Sequence, residues 1–306
     1  MSHLGPFTIP VLAICYYPVR GKHIDRRITG DVGNALADIS AHVARTSDQV
    51  VAALEMGSTY HGYKDPFAQP SLRYEIVDTI EIMEPLPLWN KPGLHLPMTD
   101  YNVIMDRVNI RYWVQERGVK EVWIWAYHGD VLVLWESNMS GPHGDISNSP
   151  RSIWDLPILD RTYTVYHYNY GRGASEAVED HMHQIEAIFR HVDPDLFWNK
   201  FVGRPGEGRC GWSHYPPNGV RDYDWANPAD VWTDIEHWQP EGGVRKQMNC
   251  THWSGDSLTW FIYWMQNLPG LDNTLTYQGK PLSNWWTFVG EFDLAIGTEL
   301  GLVDRF

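Results

Sequence analysis

Strand-like and helix-like segments alternate through the first two-thirds of this chain, with short connections. No other feature constrains its fold as much. "FTIPVLAICYYPV" (7–19) is an almost unbroken apolar run of strand length. "DVGNALADISAHVARTSDQVVAALEMG" (31–57) follows, with Leu36, Ile39, Val43, Val50 and Leu54 on one helical face and Gly57 as its stop. "RYEIVDTIEIMEPLPLW" (73–89) predicts a strand ended by prolines. The spacing then predicts a helix over 99–118, capped by Thr99 or Asp100 and closed by Gly118, with Ile104, Val108 and Tyr112 sharing a face. "KEVWIWAY" (120–127), "VLVLWESN" (131–138) and "RTYTVYHYNY" (161–170) predict three more strands. A Gly171-Arg172-Gly173 turn leads into a further helix, with Ser175 as its expected N-cap. The order is β-α-β-α-β-β-β-α. Two parallel strands need a crossover, and a helix usually supplies it. The expected fold class is therefore α/β, with a mostly parallel sheet and flanking helices.

The last third changes character. From Gly203 to Gly243 it is rich in Pro, Gly, Trp and Asp, and helix-like segments at 257–270 and 283–301 close the chain. Residues 1–202 are expected to form the α/β core. Residues 203–306 are expected to form a loop-rich, Trp-rich capping region packed on the same domain. The chain contains sixteen Trp and sixteen Tyr among 306 residues. Such rings suit sugars, quaternary amines and wet interfaces, or else build the core of a loop-rich protein.

Charge narrows the partners. The formal net charge is −14, and no run of Lys or Arg occurs. That argues against nucleic acid and against an anionic membrane surface, both of which need clustered cations. No apolar run approaches the roughly 20 residues of a membrane span. The N-terminus has no basic segment, and Pro6 and Pro10 interrupt its apolar stretch. A soluble protein is expected, either cytoplasmic or the mature form of a secreted one. Cys15, Cys210 and Cys250 are too few for a disulfide scaffold. Cys210 and Cys250 could pair, or join His214 and His252 around zinc, although their spacing matches no standard finger.

The helix "EAVEDHMHQIEAIFRH" (176–191) concentrates histidines and carboxylates. At 100° per residue, Val178, Met182, Ile185 and Phe189 form its core stripe. Glu176, Asp180 and His183 point roughly opposite, while His181 and Glu186 lie on the flanks. His181 and His183 diverge too far to clamp one metal ion. The turn before the helix exposes amides at the positive end of its dipole, and Arg172 adds donors for an anion or substrate oxygen. Glu136 stands at a predicted strand end beside Trp135, an arrangement that suits glycosidic acid/base chemistry. GxSxG, GxxxxGK[ST], HExxH and GxGxxG signatures are all absent.

These features point to a hydrolase acting on a polar, carbohydrate-like small-molecule or glycan substrate. Its catalytic candidates are Glu136, His128, Glu176 and Glu186. Arg172, His167, Asn169, Tyr170, Trp125 and Trp135 would bind substrate. The sequence identifies no cofactor, and a divalent metal is an alternative, with His128, Asp130, His167 or His181 as ligands. A non-catalytic glycan-binding or surface-interaction protein is the third reading.

Overall fold

The computed structural model describes residues 6–128, 131–133, 135–149 and 154–303. Its central feature is a six-stranded sheet among the described residues. The strands are β1 (Phe7–Tyr16), β2 (Leu72–Ile82), β3 (Glu121–Ala126), β4 (Ser137–Ser140), β5 (Ile146–Ser147) and β6 (Tyr163–Asn169). They lie in the order β2-β1-β3-β6-β4-β5. β3 is parallel to both β1 and β6, with Val11 and Thr164 on either side of Glu121. The Phe7 N–H donates to Ser71 O, and ten residues on the Tyr17 N–H donates to Ile82 O, so β2 also runs parallel to β1. β4 reverses direction against β6, and β5 pairs antiparallel with β4. The α/β expectation of a mostly parallel sheet therefore holds. β3 and β6 are buried along their whole lengths, which is why they read as continuous apolar and aromatic runs.

Three helices matter for the site: α1 (Leu36–Gly57), α2 (Tyr101–Arg107) and α3 (Ala174–Val192). α1 links β1 to its parallel neighbour β2, as a crossover must. Asp100 caps α2, accepting a hydrogen bond from the Val103 N–H at 3.2 Å. α2 is shorter than its periodicity predicts. Asn109 adopts φ 52°, in the left-handed region, and a π-helical turn over Tyr112–Glu116 follows. This break turns Tyr112 out to solvent, away from the face it was expected to share with Ile104 and Val108. The predicted strand over 131–138 is also corrected. The Val133 N–H donates to Pro97 O, and regular pairing begins only at Ser137. Leu132 and Trp135 are buried by packing rather than by a ladder.

The chain divides into two compact units. One comprises residues 9–50 and 74–184 and carries the sheet, apart from the first two residues of β1 and of β2. The other comprises the described residues 6–8, 51–73 and 185–303. The second unit has few strands, and its core is aromatic. Phe201 lies 5.2 Å from Trp238 and 5.3 Å from Trp285, and Trp238 lies 5.5 Å from Trp285, measured between ring centroids. Its indoles also serve its irregular backbone. Trp238 Nε1 donates to Lys200 O, Trp264 Nε1 to Gly211 O, Trp285 Nε1 to Leu302 O and Trp253 Nε1 to Trp225 O, at 2.7–3.0 Å. Carbonyls in loops have no ladder partner, and a buried indole supplies both volume and a donor. Much of the tryptophan excess is explained in this way. All three cysteines are free thiols. No helix among the described residues is long and apolar enough to cross a membrane.

Candidate functional site

Alternation along β6 sends successive side chains to opposite faces of the sheet. Tyr166 and Tyr168 face α3. The His181 ring stacks on Tyr166 at 3.8 Å, and its Nε2 lies 2.7 Å from the Tyr168 hydroxyl. Trp123 and Tyr74 enclose the same imidazole edge-on, at 5.7 and 6.2 Å. Glu121 completes this cluster. Its carboxylate accepts from Trp123 Nε1 at 2.8 Å and from the Tyr74 hydroxyl at 3.4 Å. Burial pushes Glu121 up to about 7 and His181 down to about 3, because neither charged form is solvated there. Every member of the cluster is buried. His181 is thus a core residue held by hydrogen bonding and stacking.

His167 points to the other face. Its Nδ1 lies 3.0 Å from the Tyr101 hydroxyl on α2. His128, just past β3, places Nε2 3.0 Å from His167 O, and the two rings are 4.5 Å apart. Burial is the main cause that holds both histidines low, His128 at about 4 and His167 well below the usual range. Both are therefore neutral at pH 7. His167 Nε2 is buried without a partner. Trp135 stacks on Tyr101 at 5.5 Å. Asn169 is taken up by the turn, its Oδ1 accepting from the Gly171 N–H at 2.8 Å, while the Arg172 N–H donates to Asn169 O. The turn amides expected to bind an anion are in part already used.

Glu136 stands where the chain enters β4. Its carbonyl accepts from the His167 N–H at 3.1 Å, which fixes it beside the carboxyl end of β6. In open α/β sheets this edge is where ligands bind. The Glu136 carboxylate accepts from Asn148 Nδ2, and His183 Nδ1 on α3 lies 2.8 Å from the same oxygen, Oε2. A carboxylate oxygen can only accept, so Nδ1 carries the proton. The two side chains keep 23% and 12% of their surface exposed, enough to be reached from solvent. Asp180 lies one turn before His183. Burial drives its pKa well above the usual carboxylate range, and Glu136, Glu179 and Glu176 push it further, with Arg172 opposing. Arg172 itself pairs with Glu176, four residues on.

The structure thus pairs Glu136 with His183 and Arg172 with Glu176, and the charges of Glu136, Glu176 and Arg172 all act on Asp180, although the helical wheel assigned Glu176, Asp180 and His183 to open water. The wheel gives an angle, whereas the segment around Glu136 that covers this angle is remote in sequence. Other expected site residues fall elsewhere. Trp125, Trp135 and Tyr170 are almost wholly buried and offer no ring face to a ligand at the surface. Glu186 accepts from the Ser213 N–H at 2.7 Å. His181 is separated from the His128–His167 pair by the sheet, so these histidines do not form one ligand set. Asp130 lies outside the described residues. The second unit has its own ionic cluster, in which buried Glu236 meets Lys246 Nζ at 2.6 Å and the Tyr263 hydroxyl at 2.7 Å. Compared with known proteins, the chain matches no family model, and no curated protein is detectably similar in sequence.

Proposed function

We propose that this protein is a hydrolase that cleaves a polar, carbohydrate-like substrate by carboxylate acid/base catalysis at Glu136 and Asp180. The carrying observation is the placement of Glu136 against His183 at the carboxyl edge of β6, with Asp180 one helical turn away. Two carboxyl groups in unlike settings divide the labour of acid and base. Asp180, crowded by carboxylates, keeps its proton and serves as the acid that protonates a leaving oxygen. Glu136, receiving hydrogen bonds from Asn148 and His183, is the anionic partner, acting on water as a base or on the substrate as a nucleophile. Arg172 and Glu176 border this centre and contact the substrate.

The test is reducing-end or chromophore release from a panel of aryl glycosides and polysaccharides. On any substrate found, Glu136→Gln and Asp180→Asn each lower kcat by at least about 100-fold with native circular dichroism. Unchanged turnover in Glu136→Gln refutes the assignment. The unpartnered Nε2 of His167, beside His128, supports a second reading as a metal-dependent hydrolase. Stoichiometric zinc or manganese in the purified protein, lost in His167→Ala, would favour it over the carboxylate mechanism.

A further inference from the structure

The aromatic surface that a sugar ligand needs is present in the sheet unit, but not at the rings read from the sequence. A groove of about 380 Å³ is lined by Trp89, Asp100, Asn102, Val103, Asp106 and Trp154. Trp154 is 73% exposed and Trp89 36%, so both rings offer area to a ligand. Asn102 Nδ2 donates to Trp154 O at 2.7 Å, which ties the Trp154 backbone to α2. On the other wall, Trp89 is held by Lys91. The Lys91 ammonium lies 5.6 Å from the Trp89 ring centroid and 5.5 Å from that of Trp135, and is anchored to buried Asp155 at 2.6 Å. Trp135 directly precedes Glu136. The same α2 turn that lines the groove with Asn102 and Val103 sends Tyr101 inward to His167.

We infer that this groove is a binding subsite for a neutral oligosaccharide, which it holds between Trp89 and Trp154 with hydroxyl contacts to Asn102 and Asp106. Two indoles provide flat apolar area for the C–H faces of sugar rings, the Asn102 amide can accept from or donate to hydroxyls, and the Asp106 carboxylate accepts from them. The volume lies at the small end of the roughly 300–1,000 Å³ of ligand pockets, a size for one or two sugar units. A cationic ligand fits less well. Lys91 already places an ammonium against Trp89, and Asp100 is engaged as the helix cap. The inference rests on the carbohydrate reading proposed above and extends it to a defined surface, but the subsite does not require turnover.

The test uses the intact protein, with cellohexaose, xylohexaose, maltohexaose and chitohexaose titrated separately by intrinsic fluorescence and calorimetry. At least one binds, and Trp154→Ala weakens it about tenfold or more. Asp106→Ala weakens it as well. Trp232→Ala, which removes a ring 60% exposed in the other unit, leaves binding unchanged. Because Trp154 is largely solvent-exposed, its loss leaves the fold intact, and circular dichroism checks this. Saturable, salt-sensitive binding of tetramethylammonium with none of the four sugars overturns the proposal, as does sugar binding that Trp154→Ala leaves untouched or the absence of any sugar binding. Binding without hydrolysis keeps the subsite and removes the hydrolase. Hydrolysis with an unchanged KM in Trp154→Ala keeps the hydrolase and removes the subsite.

Discussion

Replacing Glu121 by Gln should stabilise this protein at alkaline pH and do almost nothing in acid. Glu121 sits between two parallel strands, enclosed by Trp123, Tyr74 and the tyrosines of β6. Its ordinary value of 4.5 rises to about 7, chiefly through burial, which the hydrogen bonds from Trp123 and Tyr74 only partly offset. That difference corresponds to about 3 kcal/mol of preference for the protonated form. The sign follows from proton binding. Below pH 4.5 the carboxyl is protonated in both folded and unfolded chains, and its contribution to stability is complete. As pH rises toward 7 the unfolded chain loses the proton first. Stability then falls by up to about 1.4 kcal/mol per pH unit, and the loss ends once the folded carboxyl ionises. Gln is isosteric, does not titrate, and still accepts from Trp123 Nε1. Urea unfolding of both proteins from pH 4 to pH 8 isolates the effect as a difference. The variant should match the parent near pH 4 and exceed it by about 3 kcal/mol at pH 8. A difference that stays constant with pH would refute the account of Glu121 as a desolvated carboxyl.

Four further outcomes follow from named contacts. Half-buried His61 and buried His128 are held at about 4 and buried His181 at about 3, so their stabilising contribution is complete above pH 6.5 and is lost as pH falls toward those values. Urea midpoints should therefore drop between pH 7 and pH 5, with Glu121 opposing only part of the loss. Asp234→Ala leaves the Arg209 guanidinium, now 3.0 Å from that carboxylate and mostly buried, without its partner. A cost of about 3–5 kcal/mol is expected, with a smaller one for the double variant Arg209→Met/Asp234→Leu. Gly141→Ala places a methyl 2.6 Å from Thr162 Cα, which is backbone and cannot swing away. A loss of about 1–3 kcal/mol should appear in chemical denaturation. His183→Ala should lower kcat more than it raises KM on any substrate of the Glu136 centre, because His183 positions that carboxylate.

The central strands and helix caps were legible in the sequence because their causes are local. A strand covered on both faces is mostly apolar, and β1 from Val11 and β3 from Val122 are written that way. Asp100 caps α2 through an amide three residues away. The stripe of Val178, Met182, Ile185 and Phe189 is buried as its period requires. The candidate site was legible only in part. Glu136, Glu176 and Arg172 were named from the sequence, but Glu136 meets His183 and Arg172 meets Glu176, whereas Glu176, Asp180 and His183 were all placed facing water. Ala177, His181, Gln184 and Ile188 form a second buried stripe on the same helix, although two of them are polar. Trp125, Trp135 and Tyr170 were read as ligand platforms and are core, whereas in the sheet unit Trp89 and Trp154 expose their rings. Periodicity fixes the direction in which a side chain leaves its own element. What meets it there comes from segments tens of residues away, and that decides whether a histidine is stacked between tyrosines or a carboxyl keeps its proton.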